Sequence, residues 1–218
     1  MSVDVPAATV VPLRDGPTGL EALMLRKNST LAFGGMWVFP GGRVDDEDGP
    51  GDDLTVARRA AVREAREEAA VVIDPDDLVP FSHWTPPAAA PRRFLTWVFL
   101  VALRDAVEVV IDPGEMQDHG WLSPRSALER RDAGEYELAP PTWMTLHRLA
   151  ASPDVDTALA EARGREPERF VTRPAVVEGV VHCMWAGDAG YRDSDPLRPG
   201  PRHRLVMGPA PWRLEKGP

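Results

Sequence analysis

Residues 38–72 read VFPGGRVDDEDGPGDDLTVARRAAVREAREEAAVV, and no other stretch narrows the possible folds as much. Pro40-Gly41-Gly42 is expected to end a short strand, "MWVFPGG", abruptly. The acidic, glycine-rich run after it, "RVDDEDGPGDD", reads as an exposed loop. A helix should follow from about Leu54 to Val72 and stop before Asp74-Pro75. With residues 100° apart, Leu54, Ala61, Val62, Ala65, Ala69 and Val72 form an apolar stripe. Glu64, Glu67 and Glu68 fill the arc beside it, and Arg59, Arg63 and Arg66 lie beyond them. The alanines would let this helix approach a sheet closely. Glutamates three and four residues apart repel by roughly 0.2–0.5 kcal/mol per pair, so their crowding needs a reason. Arg63, one turn before Glu67, is within salt-bridge reach of it.

The rest of the chain supplies strands and helices around this unit. "ATVVPL" and "LEALMLR" are expected to be strands joined across "RDGPTG", where Asp15-Gly16-Pro17 should interrupt both. "RRFLTWVFLVALR" is apolar on both faces, as a central buried strand would be. Ser123-Pro124 is placed as N-cap and first residue of a helix, "APPTWMTLHRLAA" opens another in the same style, and "DVDTALAEARG" is a third. Beyond about Arg173, "AVVEGVVHCMW" and "HRLVMG" read as strands separated by the loop "AGDAGYRDSDPLRPGPR". Such apolar strands cannot hang in solvent, so the tail should pack on the core or on a second copy of the chain.

Composition sets further limits. The 218 residues include 43% hydrophobic side chains, enough for a real core. A formal net charge of −9 argues against a nucleic-acid backbone as partner. An acidic protein that handles phosphates needs a cation between them. With Cys183 as the one cysteine there can be no internal disulfide, and its plain reading is a small buried hydrophobe. No apolar run approaches the ~20 residues of a membrane span, and "MSVDVPAATV" lacks a signal peptide's basic start. The cytoplasm is the expected compartment.

Three carboxylates on a rigid helix, beside a glycine turn with exposed carbonyls, suit a hard divalent cation such as Mg²⁺ or Mn²⁺. Together these residues resemble the Nudix box, a glycine-led loop and helix with the ending R-E-U-x-E-E-x-G-U, where U is aliphatic. Gly41-Gly42 match its opening, and Arg63, Glu64, Glu67, Glu68 and Val71 match its helical half. The box's first acid falls on Glu47 counted from Gly41, or on Asp48 counted from Gly42. The interval from there to Arg63 is longer than the family's, and Ala70 stands where the family has glycine.

The resemblance extends through "LMLRKNSTLAFGGMWVFPGGRVDDED", "WTPPAAAPRRFLTWVFLVAL", "GEMQDHGWLSP" and "ELAPPTWMTLHRLA" to the Nudix branch that includes peroxisomal coenzyme A and acyl-CoA diphosphatases. It implies an α/β fold, the Nudix α/β/α sandwich with a mixed sheet, over residues 5–170. Residues 171–218 would be a carboxy-terminal β-rich extension. It implies a Mg²⁺- or Mn²⁺-dependent diphosphatase acting on a nucleotide-type small molecule. Coenzyme A or an acyl-CoA is the expected substrate, with no nucleic acid or membrane partner and room for a homodimer. Glu64, Glu67, Glu68 and the Gly41 carbonyl would be metal ligands, and Arg63 would orient them. Either Glu64 or Glu115 would act as base. Arg92 and Arg93 would grip a phosphate, or simply flank the strand as solubilising charges. Trp84, Trp97 and Trp121 would be core or cleft wall. Pro86, in a position associated with ADP-ribose hydrolases, keeps ADP-ribose open as a substrate. A catalytically silent Nudix module that binds a nucleotide is the alternative from another class.

Overall fold

A computed structural model describes residues 3–29, 34–209 and 211–217; residues 30–33, inside the "LMLRKNSTLAFGG" stretch, lie outside it. The chain forms two compact units: Pro6–Ser82 with Thr96–Glu168, and Met1–Val5 with His83–Leu95 and Arg169–Pro218.

The strands of the sheet are β1 (Val3–Gly16), β2 (Gly19–Lys27), β3 (Trp37–Val38), β4 (Gly41–Arg43), β5 (Val79–Thr85), β6 (Arg92–Ala102) and β7 (Met116–Leu122). In the larger unit their order is β3-β2-β1-β6-β5, with β4 paired to β1 and β7 to β2. Two boundaries differ from expectation. Gly16 pairs with Gly19, so β1 runs through Asp15 and Gly16 to a two-residue Pro17-Thr18 turn. Gly41–Arg43 does not merely end a strand; it is itself a strand, with Gly42 opposite Ala8.

Helix α1 spans Asp53–Ala69, with the Asp52 carboxylate capping the Thr55 N–H. Its buried alanines Ala57, Ala60, Ala61, Ala65 and Ala69 pack on Ala8 and Val10 of β1, Leu23 and Leu25 of β2, and Phe99 and Val101 of β6. Alternate residues on the same strands, Val11, Leu13, Ala22, Met24, Val98 and Leu100, are equally buried. Period-two alternation puts those on the opposite face, so the sheet is covered on both sides. There α2 (Pro124–Asp132) packs against β2 and against α3 (Pro140–Leu149). The expected Ser123 cap and Pro124 first residue are both present. Helix α4 (Val155–Arg163) is capped by Asp154.

Helix α1 ends before Val72, which is 79% exposed and outside the apolar stripe. Ala70 is the reason: it takes a left-handed conformation with φ 55°, its N–H bonding back to Arg66 O. An αL residue with a Cβ costs roughly 1–2 kcal/mol.

In the smaller unit β8 (Glu168–Val171) pairs with β5, and the Thr172 N–H donates to Thr85 O at 3.0 Å. The tail strands β9 (Arg173–Val177), β10 (Val180–Met184), β11 (Arg202–Met207) and β12 (Arg213–Gly217) form an antiparallel sheet of their own, ordered β12-β11-β10-β9. Trp84 is core here: it stacks on Phe170 at 4.1 Å, and Trp185 meets both edge-on. Cys183 is buried, which pushes its thiol up to about 11 and keeps it protonated. The segment between β10 and β11 is held by a buried ion pair. Arg204 donates to both oxygens of Asp188 at 2.7 and 2.6 Å, and also to Pro196 O. Burial pushes the Asp188 carboxyl up, but Arg204 and the N–H groups of His203 and Gly190 outweigh it and hold it below the usual range. Among the described residues no helix is long and apolar enough to cross a membrane.

Two stability outcomes follow. Ala70→Gly should raise stability by about 0.5–1 kcal/mol, the αL relief less the entropy glycine adds to the unfolded chain, seen as a higher urea midpoint at unchanged slope. Arg204→Leu strands Asp188 as a buried charge and should cost roughly 3–5 kcal/mol in the same assay. Because the folded Asp188 carboxyl is depressed, its contribution is complete above about pH 4 and lost as pH falls through the folded value. The Arg204→Leu protein should lose that part of the wild-type acid sensitivity.

Candidate active site

The site begins where β4 runs between β1 and α1. The Val10 N–H donates to Pro40 O and the Val44 N–H to Pro6 O, marking residues 40 and 44 as hydrogen-bonded positions of the β1–β4 ladder. Gly41 falls at an alternate position, so its N–H and C=O both turn away from β1. That N–H donates to Glu68 Oε2 at 2.8 Å. Both glycines stand where a Cβ would meet a neighbour. A Cβ on Gly41 would lie 2.4 Å from Ala8 O, and one on Gly42 would lie 2.3 Å from Glu64 Oε1.

Arg63 organises the carboxylates. Its Nε and one terminal nitrogen donate to the two oxygens of Asp48 at 3.0 and 3.1 Å. The other terminal nitrogen donates to Glu64 Oε1 at 2.9 Å and Glu67 Oε2 at 3.1 Å. Arg43 O takes a further bond at 3.0 Å. Hydrogen bonding to Asp48 raises the guanidinium's pKa well above its ordinary value, with Glu64 adding to it against burial. Asp48 is 4% exposed and accepts the Asp45 N–H, whereas Glu47 reaches Arg63 only at 4.0 Å. Of the two candidates for the box's first acid, Asp48 is the one that the fold turns to Arg63. Its neighbour Glu47, the other residue that spacing allowed, is a surface side chain.

The three glutamates stand in unlike surroundings. Burial pushes the Glu64 carboxyl up against the pull of Arg63, and the charges of Glu67 and Glu115 push it further. Glu67 is half exposed. Glu68 is 2% exposed, and burial carries its carboxyl to about 7 despite Lys27 and the Gly41 N–H. Lys27 Nζ lies 3.3 Å from Glu68 Oε1 and 3.9 Å from Glu115 Oε2. The loop carrying Glu115 is tied to the end of α1, with the Val110 N–H on Ala69 O and the Asp112 N–H on Glu68 O. Glu115 is thus brought beside the glutamates of α1.

Lys27 and Asp48 are the residues that sequence reading passed over or left ambiguous. Lys27 did carry a signal: it follows Leu23 and Leu25 at period two, a charge continuing a buried apolar row. Arg92 and Arg93 belong to the smaller unit. Arg93 is not a free phosphate fork, because its guanidinium is bound bidentately to Asp4 at 2.6 Å for both bonds. Arg92 is exposed. Trp97 packs beside Phe99 at the rim of the α1 cluster, and Trp121 lies under the Arg14 guanidinium at 4.3 Å.

The donor set fits a hard divalent cation. Among the described residues no three His, Cys, Asp or Glu side chains stand ready-gathered around an ion position, because their oxygens turn to Arg63, Lys27 and the Gly41 N–H. Yet Glu68 is a buried carboxylate destabilised as an anion, with Glu64 raising it further, and the Gly41 carbonyl shares the face of the N–H that binds it. A cation among these oxygens relieves that cost.

Comparison with known proteins agrees with this geometry. A family model described as the NUDIX domain matches residues 4–156. A protein named as nudix hydrolase 7 of Caenorhabditis elegans is 28% identical over 235 residues, covering 88% of this chain and 78% of that one. The human acyl-coenzyme A diphosphatase NUDT19 is 29% identical over 121 residues, 53% of this chain but only 32% of its own length. Among solved structures, a NUDIX hydrolase from Alicyclobacillus acidocaldarius superposes with a TM-score of 0.66 at 24% identity, over 73% of this chain and 97% of that one. With its glycine strand, its Arg63-centred carboxylates and a family match over most of its length, the chain belongs to the Nudix family of phosphohydrolases.

Proposed function

We propose that this Nudix hydrolase cleaves the diphosphate of coenzyme A or an acyl-CoA, with Mg²⁺ or Mn²⁺ held by Glu64, Glu67, Glu68 and the Gly41 carbonyl. The observation that carries the chemistry is Glu68 on the Gly41 N–H and Glu64 beside Gly42, with Glu67 joined to Glu64 through Arg63 and Glu115 across Lys27 from Glu68. Nudix hydrolases generally use divalent metal ions. Such an ion neutralises phosphate charge and stabilises the oxygen that leaves. Arg63 holds Glu64 and Glu67 in place, and Asp48 in turn holds Arg63. Glu115, half exposed at the edge of the cluster, takes the proton of the attacking water. Water attacks one phosphorus, the bridging oxygen departs with the other phosphate, and the products are 3′,5′-ADP and the 4′-phosphopantetheine portion. The choice of coenzyme A is supported by the likeness to the human acyl-coenzyme A diphosphatase. Residues of the box act at the diphosphate, so discrimination among substrates falls to groups outside it that hold the two ends. Pro86 keeps ADP-ribose as the second reading.

Glu67→Gln or Glu68→Gln should abolish turnover while thermal unfolding shows an intact fold; near-normal turnover at saturating Mg²⁺ removes these residues as ligands. Glu115→Gln should lower kcat by about 10²-fold or more, whereas a loss under about threefold returns the base role to Glu64. The substrate is tested by kcat/KM for coenzyme A, acyl-CoA, ADP-ribose, NADH, dinucleoside polyphosphates and nucleoside triphosphates, with Mg²⁺ and with Mn²⁺. Coenzyme A or its thioesters should lead. A preference for ADP-ribose by about tenfold, a difference of ~1.4 kcal/mol, reverses the substrate choice. Tight binding of one compound without hydrolysis of any favours a silent nucleotide-binding module.

A further inference from the structure

The loop that carries Glu115 is fastened by one side chain outside the Nudix box. Asn28, the residue after β2, donates from its side-chain amide to Pro113 O at 3.1 Å and to Gly114 O at 2.9 Å. Its backbone N–H donates to Glu115 O at 2.8 Å. The carbonyls of 113, 114 and 115 thus converge on a single residue. The loop is closed from within as well: the Gly114 N–H bonds to Asp112 Oδ1, and the Glu115 and Met116 N–H groups bond to Asp112 O. Beside it, Gln117 Nε2 donates to Lys27 O at 3.1 Å, and a register shift between Arg26 and Lys27 bends β2 where Lys27 faces Met116.

The chemistry of this contact is specific. An asparagine amide offers two donors on one nitrogen, and both point at loop carbonyls here. Aspartate has the same shape and no donor, so it would set a carboxylate against two carbonyl oxygens. The amide forms no bond to the glutamates of α1; its described side-chain bonds go to the loop. Lys27, the adjacent residue, lies between Glu68 and Glu115. The end of β2 therefore sets the distance between the base and the metal-binding helix from both sides: the Lys27 side chain reaches the carboxylates, and Asn28 clamps the backbone beneath Glu115.

We propose that Asn28 is a positioning residue for Glu115, acting on catalysis by fixing the 112–116 turn. This rests on the reading of Glu115 as the general base. Misplacing a catalytic group by about 1 Å can cost on the order of 10²-fold in rate, and Asn28 controls a displacement of that kind.

The test is a double-mutant cycle with Asn28→Asp and Glu115→Gln, with Asn28→Ala as the second variant should the aspartate protein fail to fold. Asn28→Asp should lower kcat by about tenfold or more with KM within about twofold, and amide hydrogen exchange across residues 112–116 should accelerate. In the Glu115→Gln background the same substitution should cost less than about twofold, because the group it positions is gone. Equal losses in both backgrounds would mean that Asn28 acts elsewhere, and would overturn the proposal. So would a kcat within about twofold of wild type for Asn28→Asp while Glu115→Gln loses its expected ~10²-fold; that result leaves the base assignment standing. A loss under about threefold for Glu115→Gln alone removes the base reading, and the positioning role falls with it.

Discussion

The Arg63 guanidinium is the interaction on which the site depends. One planar cation meets Asp48, Glu64, Glu67 and the Arg43 carbonyl, and so joins the acidic loop, the helix and the glycine strand. Lysine could not replace it, since the bidentate grip on Asp48 needs a fork of donors. The like charges on α1 are tolerated because Arg63 and Lys27 stand between them. What remains uncompensated is concentrated on Glu68, whose carboxyl is carried to about 7 by burial. The protein thus keeps an electrostatic cost at the position proposed above as a cation ligand.

Helix packing makes this arrangement possible. Five buried alanines leave no bulk between α1 and the sheet, so the adjacent glutamates come down to the level of β4. The glycines answer from the other side, with Ala8 O and the Glu64 carboxylate occupying the space a Cβ would need. A side chain at Gly41 would press on the β1 backbone and disturb the strand whose N–H holds Glu68, and one at Gly42 would displace the Glu64 carboxylate. The same closeness anchors the Glu115 loop, whose N–H groups bond to the last carbonyls of α1.

The smaller unit has its own physical basis. Stacked Trp84 and Phe170 with Trp185 across them give it an aromatic core, and the buried Arg204–Asp188 pair closes the long loop between β10 and β11. That loop has no strand or helix of its own; the Asp188 carboxylate collects Arg204, His203 N–H and Gly190 N–H, and backbone bonds such as Ala189 N–H to Pro201 O and Asp195 N–H to Gly190 O close it further. Asp4 and Arg93 make another pair in this unit, at the surface, where solvent screens the attraction.

Periodicity and local chemistry were readable from the chain alone. The alanine stripe, the Ser123-Pro124 helix start and the apolar run of β6 each depend on neighbours within a few residues, and the structure has all three. So do Arg63 and the three glutamates, which share one helix and whose directions follow from its pitch. Other features depended on approach in space. Spacing left Glu47 and Asp48 equivalent, and only the fold of the acidic loop turned Asp48 inward to Arg63. Nothing local told that Arg93 would meet Asp4, 89 positions away, or that Asn28 would reach Gly114 across 86. Ala70 shows the same division at a single residue: alanine's propensity is to continue a helix, yet here it takes αL and ends α1, and the next residue, Val71, is buried in the core. Side-chain type and helical pitch determined which groups could act; the meeting of distant strands and loops, where burial and pairing outweigh local preference, decided which of them come together.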